Sequence, residues 1–312
     1  MRRRTKRPVC AVVKADAYGH GQAVVEAMAA ADGFAVATYA EALRLKRITD
    51  KPVLILGPAE NAPVPAGAVP SVGSFAEADV LARNGWRGRV HIKVDTGMRR
   101  LGCRPESARL LADRIAAAGM RPDGVFTHFH CAEDAGIAAR QFALFDDATR
   151  GLGLQRHCCA SNGLFLPEAF RLNMTRPGLA LYGYGAEGLT PSMRVTSEVL
   201  ALHFVKRGEY IGYGRIAAPR DMTAATIRGG YADGFRRGSL RRTVQIRGKA
   251  CSVVGQVCMD MFFADVTDIL CHVGDEVVVL GDGEALARAY GTIVYEVLTG
   301  FGQARGQRRY VY

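Results

Sequence analysis

The sequence lacks the long apolar run that a membrane-spanning helix needs. Apolar residues make up 49% of the 312 residues, but none of their runs reaches about eighteen residues. The basic N-terminus, MRRRTKRPVC, leads into an apolar strand pattern and not into a signal-peptide core with its small-residue cleavage site. We therefore expect a soluble, cytoplasmic protein with no membrane partner.

The sequence also lacks closely paired cysteines and dense runs of basic residues. The eight cysteines show neither a C-x-x-C pair nor the spacing of a zinc finger. Cys158 and Cys159 are adjacent, which suits an ordinary disulfide poorly, so we expect buried free thiols in a reducing compartment. The net charge of +11 comes mostly from arginine. These arginines are spread along the chain without interleaved aromatic residues, which argues against nucleic acid as a partner.

From residue 8 to about 185, short β-branched runs alternate with Ala- and Leu-rich helical patterns. The runs are PVCAVV, GFAVAT, PVLILG, GAVPSV, RVHIKVD, DGVFTHF, QRHCCAS and RPGLALYG. Helices are predicted at 21–31, 39–49, 74–84, 105–119, 135–150 and 162–170. The third connection, PAENAPVPA, is Pro-rich and predicts no helix. This alternation predicts an α/β fold, a parallel (β/α)₈ barrel of the TIM type.

The pattern changes after about residue 188. The stretches RVTSEVLALHFVK, TAATIRGG, RTVQIRGKACSVVGQVCMDMFFADVT and GDEVVVLG indicate strands joined by Gly and Asp turns. Such a run of strands with little helix predicts a mainly antiparallel β domain. We therefore expect a barrel domain over residues 1–187 and a C-terminal β domain over residues 188–312.

Polar residues follow the predicted barrel strands at their C-terminal ends, where barrel enzymes place the active site. They are Lys14 and Tyr18 after the first strand, Lys93, Asp95 and Arg100 after the fifth, His128 after the sixth, Ser161 and Asn162 after the seventh, and Arg176 at the start of the eighth. A lysine at the end of a buried run loses water, which lowers the pKa of its amine and favours attack on a carbonyl. Pyridoxal phosphate needs such a lysine, a phosphate cup and a partner for its ring nitrogen.

Six motifs resemble alanine racemase, in that family's order and over nearly the whole chain. They are AVVKADAYGHG, IKVDTGMRRLG, THF, MTRPGLALYG, GGYADGF and VCMD. The resemblance implies a fold-type III, pyridoxal-phosphate-dependent isomerase that interconverts L- and D-alanine. It also implies a head-to-tail homodimer and a role in D-alanine biosynthesis, with a catabolic role and a preference for serine left open.

The resemblance implies a two-base mechanism. Lys14 would form the internal aldimine and act as one base, and Tyr231 would reach the partner subunit's cofactor as the opposite base. Two bases on opposite faces suit racemisation, because the α-proton leaves from one side and returns on the other. A hydrogen-bond chain of Arg176, His128 and Tyr231 would assist the tyrosine. Arg176, which stays protonated, would keep the pyridine nitrogen unprotonated.

Other matched positions would bind cofactor or substrate. The cofactor-binding positions implied are Lys14, Tyr18, Arg100, His128, Ser161, Arg176, Gly178 and Leu179. Arg100 and the backbone of Met259 would contact the substrate carboxylate. Lys93 matches a position that is often carbamylated in the family. An anionic carbamate there would orient Arg100, whereas a free ammonium would repel it.

The chain departs from the family pattern at both ends. Only thirteen residues precede Lys14, fewer than the family carries there, so the resemblance predicts an N-terminally truncated chain. The family also has an active-site tyrosine near its C-terminus. Aligned through EVLTGFG, that position falls at residues 303–306, which contain no tyrosine, and Tyr310 is the nearest alternative.

Other functions remain possible from the residues alone. The departures at the two ends would also fit a catalytically impaired homologue that binds pyridoxal phosphate without turnover. A metal-dependent barrel hydrolase would use His128 and His130 as an H-x-H pair, with Lys93 carbamylated and Asp95 nearby. Such hydrolases carry H-x-H on the first strand and need further strand-end histidines, so we expect no metal. An amino-acid decarboxylase shares the two-domain architecture but fits the motifs less well.

Overall fold

The computed structural model describes residues 5–238 and 242–311. The chain divides into two compact units. The first unit runs to Ala17 and continues over Gln22–Leu189, whereas the second contains Tyr18–Gly21 and continues from Thr190. The tetrapeptide Tyr18–Gly21, which ends the AVVKADAYGHG motif, therefore belongs to the second unit. The sequence did not indicate this division. No helix in these described ranges is both long and apolar enough to cross a membrane.

Parallel strands form two four-stranded sheets in the first unit. In one sheet the order is β1 (Cys10–Val12), β2 (Gly33–Val36), β3 (Val53–Ile55), β4 (Ala68–Val69), and in the other it is β5 (Ser71–Val72), β6 (Arg89–Lys93), β7 (Arg121–Phe126), β8 (Gln155–His157). Only Pro70 separates β4 from β5. The single run GAVPSV therefore pairs with β3 at its start and with β6 at its end.

The last predicted strand, RPGLALYG, is extended only at its start. The Cys10 amide donates a hydrogen bond to the Thr175 carbonyl at 2.9 Å, and the Arg176 amide donates to the Cys159 carbonyl at 2.8 Å. This short segment thus lies between β8 and β1. The chain then turns into a 3₁₀ helix at Leu179–Tyr182. The prediction of a strand over the rest of the run is therefore wrong, since Pro–Gly brings a residue without an amide donor and a flexible one.

Five α-helices connect these strands within the described residues. They are α1 (Val24–Ala27), α2 (Tyr39–Leu45), α3 (Phe75–Arg83), α4 (Ala108–Ala117) and α5 (Ala135–Thr149). The third connection carries no helix, as predicted. The helix predicted at 162–170 is replaced by two 3₁₀ turns, Asn162–Phe165 and Glu168–Arg171. Pro167 between them explains this, because proline disfavours helix at the residue before it.

The two faces of the parallel strands differ in polarity. Val90 and Ile92 of β6 are fully buried in one apolar core with helix residues such as Leu111. Side chains alternate along a strand, so His91 and Lys93 of β6 lie on the opposite face. Both are also buried, at 6% and 8% exposure. Polar side chains therefore occupy the strand face turned away from the helices.

The second unit contains a closed six-stranded antiparallel barrel, in the order β10-β13-β12-β11-β14-β9. Its strands are β9 (Val195–Val205), β10 (Met222–Arg228), β11 (Thr243–Ile246), β12 (Lys249–Val254), β13 (Met261–Asp265) and β14 (Glu276–Leu280). Two helices follow the last strand, α6 (Gly283–Tyr290) and α7 (Val294–Phe301). The antiparallel β architecture predicted for this half is confirmed.

A left-handed turn follows β1. Ala15, Asp16, Ala17 and Tyr18 all have φ between 52° and 55°. A left-handed conformation costs an L-residue roughly 1–2 kcal/mol because Cβ crowds the carbonyl oxygen. The Ala17 amide donates to the Val13 carbonyl at 2.9 Å, and the Ala15 amide donates to Glu41 Oε1 at 2.7 Å. These bonds hold a strained turn directly after Lys14.

Glycine should therefore be tolerated in this turn. We expect Ala15→Gly to leave the free energy of unfolding unchanged or higher, because glycine adopts positive φ without strain. Ala116 is an equally exposed alanine in the right-handed helix α4, where glycine should cost about 1 kcal/mol. Urea unfolding of both variants measures the contrast. Equal losses in the two variants would show that the turn is not strained.

Candidate active site

Five of the predicted site residues interact electrostatically in the first unit, namely Lys14, Lys93, Arg100, His128 and Arg176. Burial lowers the pKa of the Lys14 amine, and the nearby charge of Arg100 lowers it further, while Glu41 opposes the shift. A lowered pKa leaves more of the amine unprotonated at neutral pH, which is the form that attacks carbonyls or accepts protons.

Lys93 lies at the end of β6, where its Nζ donates to the Leu56 carbonyl at 3.3 Å. Burial lowers the pKa of Lys93 to about 8, with Arg100 and Arg176 adding to the effect. A large fraction of this amine is therefore uncharged slightly above neutral pH. Lysine in that form is chemically reactive.

His128 is held neutral by the same surroundings. Burial lowers the pKa of its imidazole to about 3, and Arg176, Arg100 and both lysines contribute in the same direction. A neutral imidazole has one donor and one acceptor nitrogen. His128 can therefore take part in a directed hydrogen bond at physiological pH without becoming charged.

Arg176 is almost completely buried, at 3% exposure. Its guanidinium donates from Nη1 to His157 Nδ1 and from Nη2 to the Thr127 carbonyl at 2.7 Å. Its Cζ lies 4.9 Å from the centroid of the Phe126 ring. The structure thus places His157, which the sequence analysis missed, on the guanidinium. The predicted hydrogen bond between Arg176 and His128 stays a prediction, although Arg176 helps to lower the pKa of that histidine.

Ser161 connects two segments by hydrogen bonds. It lies in the segment after β8 and binds the segment that follows Thr175–Pro177. Its Oγ accepts hydrogen bonds from the amides of Gly178 at 2.9 Å and Ala180 at 3.1 Å. Leu179, another predicted position, begins the 3₁₀ helix between these two amides. Three of the predicted cofactor-binding positions, Ser161, Gly178 and Leu179, therefore lie together around the Ser161 hydroxyl.

Glu41 is a second residue that the sequence analysis missed. Its carboxylate accepts from the Ala15 amide and, through Oε2, from the Ala37 amide, both at 2.7 Å. It also forms a capping box with Thr38 at the N-terminus of α2. The T-x-x-E spacing could have revealed the cap. It could not have revealed that the same carboxylate holds the turn after Lys14.

In the second unit, Tyr231 and Met259 lie on neighbouring segments. Tyr231 donates its amide to the Cys258 carbonyl at 3.0 Å, and the next amide donates to the Met259 carbonyl at 3.1 Å. A Cβ atom on Gly230 would lie 2.2 Å from the Cys258 carbonyl oxygen, so only glycine allows this approach. The two predicted residues are 43% and 52% exposed, which leaves both side chains available to a partner.

Asp233 and Arg305 fix the turn that carries Tyr231. Arg305 donates to both carboxylate oxygens of Asp233, at 2.9 and 2.8 Å, and the Gly230 amide donates to Asp233 at 3.0 Å. The hydrogen bonds from Arg305 are the main cause that lowers the pKa of Asp233 to about 2. Asp260 pairs with the same guanidinium at 2.7 Å. Both aspartates therefore help to hold this turn through Arg305.

Tyr18 and the C-terminal segment also belong to the second unit. The Tyr18 ring lies 5.7 Å from the Tyr295 ring, and burial raises the pKa of the Tyr18 hydroxyl. Tyr310 donates its hydroxyl to the His20 carbonyl at 3.0 Å. Gln303, one of the residues 303–306 where the family's tyrosine would align, lines a groove that also contains Tyr231. The substitution of that tyrosine by Tyr310 stays a prediction.

The structure adds little to the metal-dependent alternative. Among the residues it describes, no three or more His, Cys, Asp and Glu side chains converge as a set that could hold a metal ion. The eight cysteines are free thiols, and six of them are buried, as the sequence analysis expected.

Comparison with known proteins decides the family. Residues 1–186 match the family described as "Alanine racemase, N-terminal domain", and residues 192–310 match "Alanine racemase, C-terminal domain". The chain belongs to the alanine racemase family. This family consists of pyridoxal-phosphate-dependent isomerases, and the resemblance seen in the six motifs is confirmed.

Named relatives are similar over almost their whole length. The alanine racemase of Deinococcus deserti is 38% identical over 93% of this chain and 89% of its own length. That of Deinococcus radiodurans is 39% identical over 95% of this chain and 90% of its own length.

Solved structures of the family share the fold. The biosynthetic alanine racemase of Pseudomonas aeruginosa has a TM-score of 0.90 at 31% identity, covering 100% of this chain and 94% of its own. The Bartonella henselae enzyme, which was solved with covalently bound pyridoxal phosphate, has a TM-score of 0.87 at 28% identity. That match covers 98% of this chain and 93% of the other.

The lowered pKa of Lys93 predicts a stability change with pH. Between about 8, its value in the folded chain, and 10.5, its ordinary value, the unfolded state binds more protons than the folded state. The stability contribution of this group therefore rises with pH across that window. In CO₂-free buffer, Lys93→Met should raise the free energy of unfolding at neutral pH and flatten this rise. Denaturant unfolding at several pH values measures both effects.

The exposed Lys249 offers a matched control. Lys249→Met should leave both the stability and its pH dependence close to those of the parent. A Lys93→Met variant that behaved like this control would contradict the lowered pKa of Lys93.

Proposed function

We propose that the chain racemises alanine by a two-base mechanism, with pyridoxal phosphate as its cofactor. One base is Lys14, and the other is Tyr231 of the partner subunit in a head-to-tail homodimer. Membership of the alanine racemase family supports the reaction class. The observation that carries the assignment is the half-buried Lys14 amine, which has a lowered pKa and lies among other cations at the end of β1.

The residues present fit the cofactor. Lys14, Lys93, Arg100 and Arg176 interact across one region. The positive charge of Arg100 lowers the pKa of Lys14, and the charges of Arg100, Arg176 and Lys14 lower the pKa of Lys93. Such a surplus of positive charge is stabilised by an anion, and both the cofactor's phosphate and the substrate's carboxylate are anions. We propose Ser161, Gly178, Leu179 and Tyr18 as phosphate contacts. We propose His128 as a further cofactor-binding residue. When bound, the cofactor delocalises the electron pair that remains after the α-proton leaves.

Each base has a defined task. The unprotonated Lys14 amine accepts a proton on one face of the substrate's α-carbon, and its protonated form returns one in the reverse direction. Arg176 remains protonated and offers only donors, so it can hold the pyridine nitrogen without giving it a proton. Tyr231 is exposed in its own unit, which supports its action in the partner's site. We propose that Arg100 and the backbone of Met259 hold the substrate carboxylate.

We also propose that Lys93 is carbamylated in the working enzyme. Its amine has a pKa of about 8, so a substantial fraction is free to react with dissolved CO₂. The product carries a negative charge, which would pair with Arg100 and reduce the surplus of positive charge around Lys14. Enrichment with ¹³CO₂ followed by ¹³C NMR detects the modification directly.

The complete architecture is likewise a proposal. We propose that the eight parallel strands close into a (β/α)₈ barrel over residues 1–187, followed by a β domain over residues 188–312. The hydrogen bonds that the Thr175–Pro177 segment makes with both β8 and β1 support this closure.

Proton exchange tests the function. Purified protein incubated with pyridoxal phosphate and L-alanine in D₂O should lose the α-proton signal and accumulate D-alanine. Lys14→Ala should abolish both changes, a loss of at least about 10³-fold, because a covalent anchor and a base disappear together. The exposed Lys249→Met serves as control. Turnover by Lys14→Ala equal to the parent's would contradict the assignment.

Residues 303–306 give one reason to consider an impaired homologue, because the aligned position of a family tyrosine falls among them and none of them is a tyrosine. A Lys14-dependent cofactor absorbance without turnover would support that second function. Gln303→Tyr should then restore activity. Normal turnover by the parent would rule out the impaired homologue.

Subunit complementation tests the shared site. Lys14→Ala and Tyr231→Phe should each be inactive alone. After mixed refolding, a hybrid dimer contains one site with both changes and one site with neither. Random pairing then predicts about one quarter of the parent activity, since a two-fold symmetric dimer has two equivalent sites. No recovery would show that Lys14 and Tyr231 act within the same subunit.

A further inference from the structure

A line of buried polar side chains leads away from Arg176 along the strand face that is turned from the helices. His157 Nδ1 accepts from the Arg176 guanidinium, and His157 Nε2 lies 3.0 Å from His91 Nδ1. His91 Nε2 in turn lies 3.9 Å from Asp123 Oδ2. The two histidines are 0% and 6% exposed. None of Asp123, His91 and His157 belongs to the predicted catalytic set.

The surroundings keep these side chains in place. A Cβ atom on Gly124 would lie 2.5 Å from Cε1 of His91, so the absence of a side chain at Gly124 makes room for that imidazole. The His157 ring stacks on Phe126 with centroids 5.0 Å apart and planes 7° apart. The position of each imidazole is thus set by neighbouring residues as well as by its hydrogen bonds.

The chemistry of the groups gives the line a direction. Arginine has only donors, so His157 Nδ1 must be unprotonated and its proton must be on Nε2. That proton points to His91 Nδ1, which must accept it, so the proton of His91 lies on Nε2. It faces the carboxylate of Asp123, which can only accept when ionised. Every link therefore donates in the same sense, from Arg176 towards Asp123.

Adding a proton to either imidazole would break this order, because two donors would then face each other. Burial lowers the pKa of both His91 and His157, and the positive charge of Arg176 adds to this effect. The neighbouring His91 is the main cause that lowers the pKa of Asp123. Arg89 and Arg121 face the same carboxylate at 3.7 and 3.4 Å. The acceptor at the end of the line is therefore ionised, and the imidazoles are neutral.

We propose that Asp123, His91 and His157 are positioning residues that fix the orientation of the Arg176 guanidinium, through two aligned hydrogen bonds that lead from Arg176 to His91 and a charge contact at 3.9 Å between His91 and Asp123. The chain occupies one N–H of the guanidinium and leaves the others for neighbouring acceptors. Aligned hydrogen bonds also polarise one another, so the carboxylate partly compensates the buried positive charge. The effect on catalysis rests on the proposed function, in which Arg176 contacts the cofactor's ring nitrogen. The arrangement of protons on the two histidines does not depend on that function.

Histidine tautomers test the chain directly. In protein labelled with ¹⁵N-histidine, both His91 and His157 should show a protonated Nε2 and an unprotonated Nδ1, from about pH 6 to 9. Single His→Gln variants assign the resonances. A proton on Nδ1 of either residue, or protonation of either ring in this range, would overturn the proposal.

Asp123→Ala tests the acceptor, because alanine removes both carboxylate oxygens at the outer end of the line, whereas the amide oxygen of asparagine could still accept. It should release His91 from its single tautomer and lower kcat for alanine about ten-fold with little change in KM, as outer-shell changes do. Asp123→Glu should restore much of kcat. The exposed His272 lies at the same 3.9 Å separation from Asp275, so His272→Gln is the matched control.

Unchanged tautomers in Asp123→Ala, or a kcat like that of the control, would contradict the positioning role. The NMR measurement needs no turnover. An inactive parent with the expected tautomers would therefore contradict the proposed function and support the chain, so the two failures are distinguishable.

Discussion

The burial of the Arg176 guanidinium is the constraint on which the rest of the first unit depends. A charged group removed from water is costly unless it is paired and hydrogen-bonded. Here the Thr127 carbonyl, the His157 ring and the face of Phe126 surround it. The strand face that holds it must therefore be polar, while the opposite face is apolar. Four mutually repelling cations also make an anion the natural complement of this region, and ligand binding will stabilise the fold accordingly.

Much of the architecture could be predicted from sequence periodicity. Runs such as RVHIKVD and GFAVAT are strands because β-branched residues favour extended backbone, and their alternation with Ala- and Leu-rich stretches gives parallel sheets. The change of pattern near residue 188 correctly separated a parallel half from an antiparallel half. The positions of Lys14, Lys93 and Arg176 could be anticipated because parallel strands bring their C-terminal ends together. Because of that geometry, these charged side chains lie close enough to form one electrostatic cluster.

The remaining features depend on tertiary contacts that a linear pattern does not encode. His91 and His157 stand inside apolar runs, where a histidine is usually only a satisfied core residue. Only the structure shows that they contact each other and that Gly124 makes room for one of them. The left-handed turn contradicts the local preference of alanine and is held by Glu41, 26 residues away from Ala15. The eighth strand is short because Pro177 and Gly178 interrupt the extended backbone before the 3₁₀ helix at Leu179.

Arg305 gives the end of the chain an unexpected importance. It lies 72 residues from Asp233 in sequence, yet its fork forms the base of the turn that presents Tyr231. The barrel of the second unit is closed before this residue, so a protein without Arg305 could keep a complete β-barrel and still lose the orientation of the proposed base. Under the proposed function, Arg305 thus supports the site from outside the barrel.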